Sequence, residues 1–342
     1  MIVRKNVRSL TSAQKQTFVK ALLELKRTGR YDKYVHLHHR TMQPAVLPYE
    51  PADPKYRNGA HCGPSFLPWH RAFLLLVGSD LRAIDPSLFV PYWDWTLDAQ
   101  NSATASVVFA DDFMGGNGVE ADQWRVATGP FAERNGNWAV PSYPNEIPPL
   151  PGTGLKRRFG SAVPTLPTLG DVAMAVDEEV FYDTPPYDCS PFTVGFRNRI
   201  EGWVTSRGDP RIRFPGAQLH NRVHLWVGGN MVPMTSPHDP IFFLHHSFVD
   251  KLWADWQALQ MKNNPAWAPH YAPLKDGPPG HNIDDVLAPF THTVRDVLDI
   301  RKLGYRYEPP LAPRAMFPLS VQAALAAARE AEKWRRSPFW AD

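Results

Sequence analysis

Cysteine is scarce: the chain has 342 residues and only two cysteines, Cys62 and Cys189. Two cannot staple a fold of this size, so a disulfide scaffold is excluded and stability has to come from packing or from metal. Long apolar runs are lacking too. The longest, AFLLLV at 72–77, falls far short of the roughly 18 residues needed to span a bilayer. The opening MIVRKNVRSL has no apolar segment of the signal-peptide kind. The expectation is a protein with no membrane contact and a cytoplasmic location, export alongside a partner protein being left open. Charge of one sign is also lacking. The net charge is +3, and Lys and Arg are scattered, which gives no nucleic-acid footprint. No internal repeat recurs at a fixed period.

Proline and histidine are what the chain has instead. The 35 prolines are about twice ordinary usage and imply long ordered loops. PSYPNEIPPLPGTG at 141–154 can be neither helix nor central strand, because proline removes the amide donors both need; it reads as a surface insertion. Helix is predicted for LTSAQKQTFVKALLELKRTG, where Thr11 and Gln14 have capping-box spacing and Gly29 provides the stop. YDKYVHLHHRTM reads as a second helix, and residues 43–64 as a loop containing His61. SFLPWHRAFLLLVGSDLRAID is a third helix, with Ser65 as expected cap, and DPIFFLHHSFVDKLWADWQALQ a fourth, capped by Asp239. An alanine-rich amphipathic helix is predicted over 319–336.

The 13 histidines are not spread as surface residues would be. His38 lies on the second helix, His61 and His70 flank the start of the third, His245 and His246 fall one turn into the fourth, and His220 and His224 are four apart in HNRVHLWVGG. An unpaired ring in such apolar surroundings is costly to bury. An i, i+4 pair shares one helical face, and taken alone it fits core packing as well as metal. The residues between His220 and His224 include no glutamate, which argues against a zinc protease, and no Glu-x-x-His pair suits a carboxylate-bridged di-iron bundle. What remains is a set of imidazoles, which suits Zn, Cu, Fe or Ni. Six could supply three ligands to each of two ions, leaving the open positions that reactive sites keep.

HNRVHLWVGG followed by DPIFFLHHSFVDKLW, together with SFLPWHRAFLL and PYWDW, resembles the type 3 copper proteins, specifically bacterial tyrosinases. The likeness runs from VRKNV at residue 3 to a Tyr-x-Tyr signature, YRY, at 305–307. It implies a mainly α fold: a central four-helix bundle holding a dinuclear copper site, with long proline-rich loops and few short strands. Residues 1–307 would form the catalytic domain, with a loop insertion at about 118–170, and 308–342 an extension packed on it. By the resemblance His38, His61 and His70 hold one copper and His220, His224 and His246 the other, with O2 as co-substrate. His245 then sits beside the site as a packing or substrate-touching residue. His36 and His39 have no family role and read as solvated-face residues. Glu201 and Asn221 match a pair that holds the water taking a phenol's proton; Glu201 can alternatively be read as an ion-pair partner of Arg197 or Arg199. Phe66, Trp69, Phe73, Phe242 and Phe243 are candidates for the dry wall.

The implied activity is ortho-hydroxylation of monophenols and oxidation of o-diphenols or o-aminophenols to o-quinones. A catechol or o-aminophenol oxidase without the hydroxylation is the alternative, and a dioxygen-binding protein without enzyme activity a more remote one. Partners would be a small phenolic substrate and, as some bacterial members require, a separate copper-loading chaperone. The chain departs from the family in places. Ala60 and Gly59 precede His61 where plant and fungal members place a cysteine, so their thioether crosslink is absent and Cys62 reads as a free thiol. Met234 stands at the entrance where bacterial members carry a small or branched residue. Leu225 lacks the charge that some members use to grip an amino-acid carboxylate. Both shift the expectation from L-tyrosine towards simpler phenols or aminophenols.

Overall fold

Why the third and fourth helices form the centre follows from their sequences. In the computed structural model, which describes residues 1–42, 58–99, 107–135, 138–141 and 154–309, α3 (Phe66–Ile84) and α7 (Ile241–Asn263) pack against each other. Both carry apolar residues on nearly every face at their N-terminal ends, as buried helices do. Around them lie α1 (Ser12–Arg27), α2 (Arg30–Met42), α4 (Leu169–Val176), α5 (Phe196–Glu201) and α6 (Leu219–Val227). The architecture is therefore mainly α, with α2, α3, α6 and α7 carrying the histidines inward. None of the described helices is long and apolar enough to cross a membrane.

Strands are few and short. β1 (Ile2–Arg4) pairs in parallel with β4 (Tyr305–Tyr307), Ile2 opposite Tyr305, so YRY closes back on the first residues of the chain. β2 (Gly118–Val119) and β3 (Arg125–Val126) form a small antiparallel pair inside the insertion. The residues that follow the proline-rich stretch turn into the core. Leu155, Lys156 and Arg157 are buried, and the Arg158 and Gly160 amides donate to Val227 and Trp226 carbonyls at the end of α6. Most of 141–154, and the helix expected at 319–336, fall outside the described residues.

Helix starts are partly as expected. Thr11 and Gln14 form the capping box of α1. Asp239 accepts the Ile241 amide at 3.1 Å at the head of α7 while holding Arg157 through both oxygens at 2.7 and 2.8 Å. Ser65 does not cap α3. Its hydroxyl instead lies 2.7 Å from the Gly59 carbonyl and 2.6 Å from His281 Nδ1, so it staples the loop that carries His61.

A buried polar knot ties these parts together. Asp250 on α7 accepts from Arg71 Nε on α3 at 2.5 Å, from Arg4 on β1 at 3.3 Å, and from the Tyr305 and Tyr307 hydroxyls on β4 at 2.7 and 2.6 Å. Burial pushes the Asp250 carboxyl up, but Arg71 and Arg4 outweigh it and hold the group below the usual carboxylate range.

Candidate metal centre

Histidines converge where α2, α3, α6 and α7 meet. His38 comes from α2, His70 from the first turn of α3 and His61 from the loop before it, and their ligand atoms lie within 4.8 Å of one another. His220, His224, His245 and His246 form a second group within the same limit. The groups face each other: the His70 and His246 rings stack at 4.2 Å.

Hydrogen bonds settle which nitrogen points inward. Nδ1 of His38 lies 2.7 Å from the Met234 carbonyl, Nδ1 of His70 lies 2.8 Å from that of Phe66, and Nδ1 of His224 lies 2.6 Å from that of Met231. His220 Nδ1 meets Asn221 Oδ1 at 3.0 Å and the Glu201 carbonyl at 3.2 Å. A carbonyl only accepts, so each Nδ1 carries the proton and each Nε2 keeps a free lone pair, the arrangement metal-bound histidines use. Burial pushes His38 down to about 3 and His224 to about 4, and lowers His61, His70, His220 and His246 as well. Neutral imidazole is the form that binds metal.

Spacing tests the fit. Nε2 atoms of His220, His224 and His246 form a triangle with sides of 3.0, 3.3 and 3.4 Å. Three nitrogens at about 2.0–2.1 Å from one ion, at trigonal or tetrahedral angles, are about 3.3–3.6 Å apart. The triangle is nearly that size. Three acceptor nitrogens turned towards one point repel one another unless a cation lies between them, so the residues fit a metal. In the other group, Nε2 of His38 and of His70 are buried with no hydrogen-bond partner. His245 is buried and its ring stacks on His220 at 5.0 Å. It belongs to the cluster, but His246 is the one whose Nε2 closes the triangle.

The apolar wall is built mainly as expected. Phe66 lies against His61, His70, His220 and His246, and Phe242 against His38, His70, His224 and His246. Trp69 and Phe73 flank His38. Phe243 stands one layer back, on Tyr31, Tyr34 and Phe73. His36 is exposed, as a solvated-face residue would be. His39 is not: it is 5 % exposed, because α2 packs that side inward beside His38. Leu225 and Met234 are half-buried and Val232 is exposed, so this stretch borders solvent.

Glu201, fully buried, ends α5. One carboxylate oxygen accepts the Cys62 amide at 2.7 Å and the other accepts Arg197 Nη1 at 3.1 Å. Arg199 pairs with Glu179 and Asp209 instead. Burial pushes Glu201 up despite Arg197 and the Cys62 amide. Gly202, at φ +104°, makes this junction possible: a Cβ there would lie 2.0 Å from the Gln218 carbonyl oxygen and 3.1 Å from Asn221 Cβ. The start of α6, and with it His220 and Asn221, therefore reaches the end of α5. Sequence reading could not find the parts played by Met231 and Met234, because main-chain carbonyls do the work there.

Comparison with known proteins agrees with this geometry. The family profile described as "Common central domain of tyrosinase" matches residues 28–259, a span containing every histidine of both groups. The tyrosinase of Streptomyces antibioticus is 44% identical over 261 residues, covering 75% of this chain and 83% of the relative. The grixazone synthase of Streptomyces griseus is 38% identical over 323 residues, covering 90% and 99%. Among solved structures, a polyphenol oxidase from Thermothelomyces thermophila is 22% identical, covers 90% of this chain and 89% of that one, and superposes with a TM-score of 0.60, a likeness of fold.

Proposed function

The chain belongs to the tyrosinase family, and from that membership we infer that its converging imidazoles hold the two coppers: His38, His61 and His70 one, His220, His224 and His246 the other. The protein is a copper-dependent enzyme that oxidises phenols with O2 to o-quinones. When bound, the copper pair supplies the two-electron chemistry of O2. The observation that carries the ligand assignment is the Nε2 triangle of His220, His224 and His246.

The chain's own groups do the rest. Carbonyls of Phe66, Met231 and Met234 lock three ligand tautomers. Phe66 and Phe242 keep water from the space between the groups. A phenol has a pKa near 10, as tyrosine does, so binding as phenolate needs a base within reach. Asn221, held against His220, and Glu201, both of whose carboxylate oxygens keep a second lone pair, hold the water that takes that proton. His245 is a packing residue on His220. Leu225 and Met234 border the entrance, and neither offers a charge to a substrate carboxylate, so simple phenols and o-aminophenols are favoured over L-tyrosine. A separate copper-loading chaperone would be a further partner.

The experiment follows o-quinone from phenol, catechol and L-tyrosine, and o-quinone imine from o-aminophenol, with the copper-loaded chain and with Asn221→Ala. We expect Asn221→Ala to lower turnover of phenol by about 10²-fold or more, the range for loss of a positioned base. Catechol turnover and copper content should change only a few-fold. Equal losses on both substrates would contradict the assignment of Asn221.

A further inference from the structure

We propose that Arg197 is a positioning residue for the proton-taking step: its guanidinium fixes the Glu201 carboxylate, and through it the water. The inference rests on the reading of Glu201 and Asn221 as the holders of that water. A water held by a carboxylate is placed only as well as the carboxylate itself. Glu201 is the last residue of α5, and its side chain has three torsions to fix. One oxygen takes the Cys62 amide at 2.7 Å and the other takes Arg197 Nη1 at 3.1 Å. The two donors come from different elements. Cys62 lies on the loop that carries His61, and Arg197 lies one turn earlier on α5. Bonds at both oxygens hold the carboxylate plane and leave a lone pair on each for the water.

Arg197 can act as a brace because the rest of its guanidinium is anchored elsewhere. Nε donates to Asp183 at 2.7 Å, Nη2 to the Asp188 carbonyl at 2.7 Å, and Nη1 also to Asn198 Oδ1 at 3.2 Å. The main chain is fixed as well. The Arg197 amide donates to the Tyr182 carbonyl at 2.8 Å and the Phe196 amide to that of Phe181 at 2.9 Å. Gly195 allows this close approach, since a Cβ there would lie 2.7 Å from Asp183 Cα. The side chains of Asp183, Arg197 and Glu201 are 0 % exposed, so bulk water does not compete for these bonds. A planar fork pinned along two directions has its third direction set. The ion pair between Arg197 and Glu201 is therefore the means by which Glu201 is aimed. Lysine keeps the charge but offers one ammonium on a flexible stem. It cannot span Asp183, the Asp188 carbonyl and Glu201 at once, so Arg197→Lys separates position from charge.

The first arm of the test reads the metal-free, full-length chain and needs no activity. Hydrogen exchange of the Cys62 amide, whose acceptor is Glu201, should be faster in Arg197→Lys than in wild type by about ten-fold or more. The Phe196 amide should exchange as in wild type, which shows that α5 stays docked. Equal exchange at Cys62 would overturn the positioning of Glu201 by Arg197.

The second arm reads the copper-loaded chain on phenol and on a difluorophenol, with copper content measured on every sample. Ring fluorines make the hydroxyl more acidic, and the pH is set where that phenol is already ionised. Arg197→Lys should lower kcat for phenol by about 10- to 100-fold, the scale of a misplaced catalytic group, with KM changed little. The loss on the difluorophenol should be far smaller, because a substrate that arrives as phenolate needs no base. Equal losses on both are what a merely structural role gives, and would overturn the proposal. Glu201→Gln is run beside it. A loss confined to phenol in Glu201→Gln but absent from Arg197→Lys would remove Arg197 alone. No such loss in Glu201→Gln would remove the reading of Glu201 and this inference with it. Should lysine unseat the fold, Arg197→Met combined with Asp183→Asn removes one buried charge of each sign and carries the same expectations.

Discussion

Asp250→Ala lowers the stability of the folded chain by about 3–5 kcal/mol, the cost of removing one partner from a buried ionic cluster. Its carboxylate ties together parts of the chain that are far apart in sequence. Arg71 on α3 and Arg4 on β1 both meet this carboxylate, with the Tyr305 and Tyr307 hydroxyls completing it. Arg71 is 0 % exposed and lies 3.7 Å over the Trp253 ring, so in the variant its charge stays buried without a counter-charge. β1 and β4 would lose the point that ties them to the helices. Chemical denaturation of the metal-free chain followed by tryptophan fluorescence measures the effect, and a loss below about 1 kcal/mol, the scale of an exposed pair, would contradict it. The same group sets a pH dependence. Its folded pKa lies below the usual value, so the unfolded chain binds its proton first. The stability it gives is complete above the ordinary carboxylate range and is lost as pH falls through the lower folded value. Wild type should lose that part of its stability on acidification, and Asp250→Ala should lack that component.

The second large effect falls on chemistry rather than on stability. His224→Ala should reduce quinone formation by at least about 10³-fold, about 4 kcal/mol of barrier, and bring bound copper from two ions per chain towards one. The reason is geometric. His224 Nε2 lies 3.0 Å from that of His220 and 3.4 Å from that of His246, and its Nδ1 is locked on the Met231 carbonyl, which aims it into the triangle. In the metal-free chain the substitution removes a half-buried ring with one hydrogen bond, and it should cost far less stability than Asp250→Ala. Elemental analysis, catechol turnover and denaturation of the two variants separate the effects. Two coppers retained in His224→Ala would remove His224 from the ligand set.

How far the sequence could be read depended on whether side chains or main chain carried the function. The helices around His70 and His246 were legible because their apolar periodicity and N-terminal prolines leave little alternative. The capping box at Thr11 and Gln14 was legible because both halves are side chains at fixed spacing. His38, His61, His70, His220, His224, His245 and His246 were legible for the same reason, and the structure brings these seven into two groups. Main-chain partners were not legible: nothing in the identity of Met231 or Met234 announces that its carbonyl orients an imidazole. Long-range choices were hidden too. Ser65 has the position of a cap, but His281 and Gly59 compete for its hydroxyl and win. His39 alternates with polar neighbours on α2, yet the helix turns it inward. The choice for Glu201 between Arg197 and Arg199 was settled by where Glu179 and Asp209 lie.

The most direct test of the account is the copper content of the folded chain after loading and exhaustive dialysis, read with quinone formation from catechol on the same sample. The account predicts two coppers per chain and quinone formation that falls in step when a chelator removes them. One copper or none at saturation, or turnover that persists after the metal is gone, would contradict it.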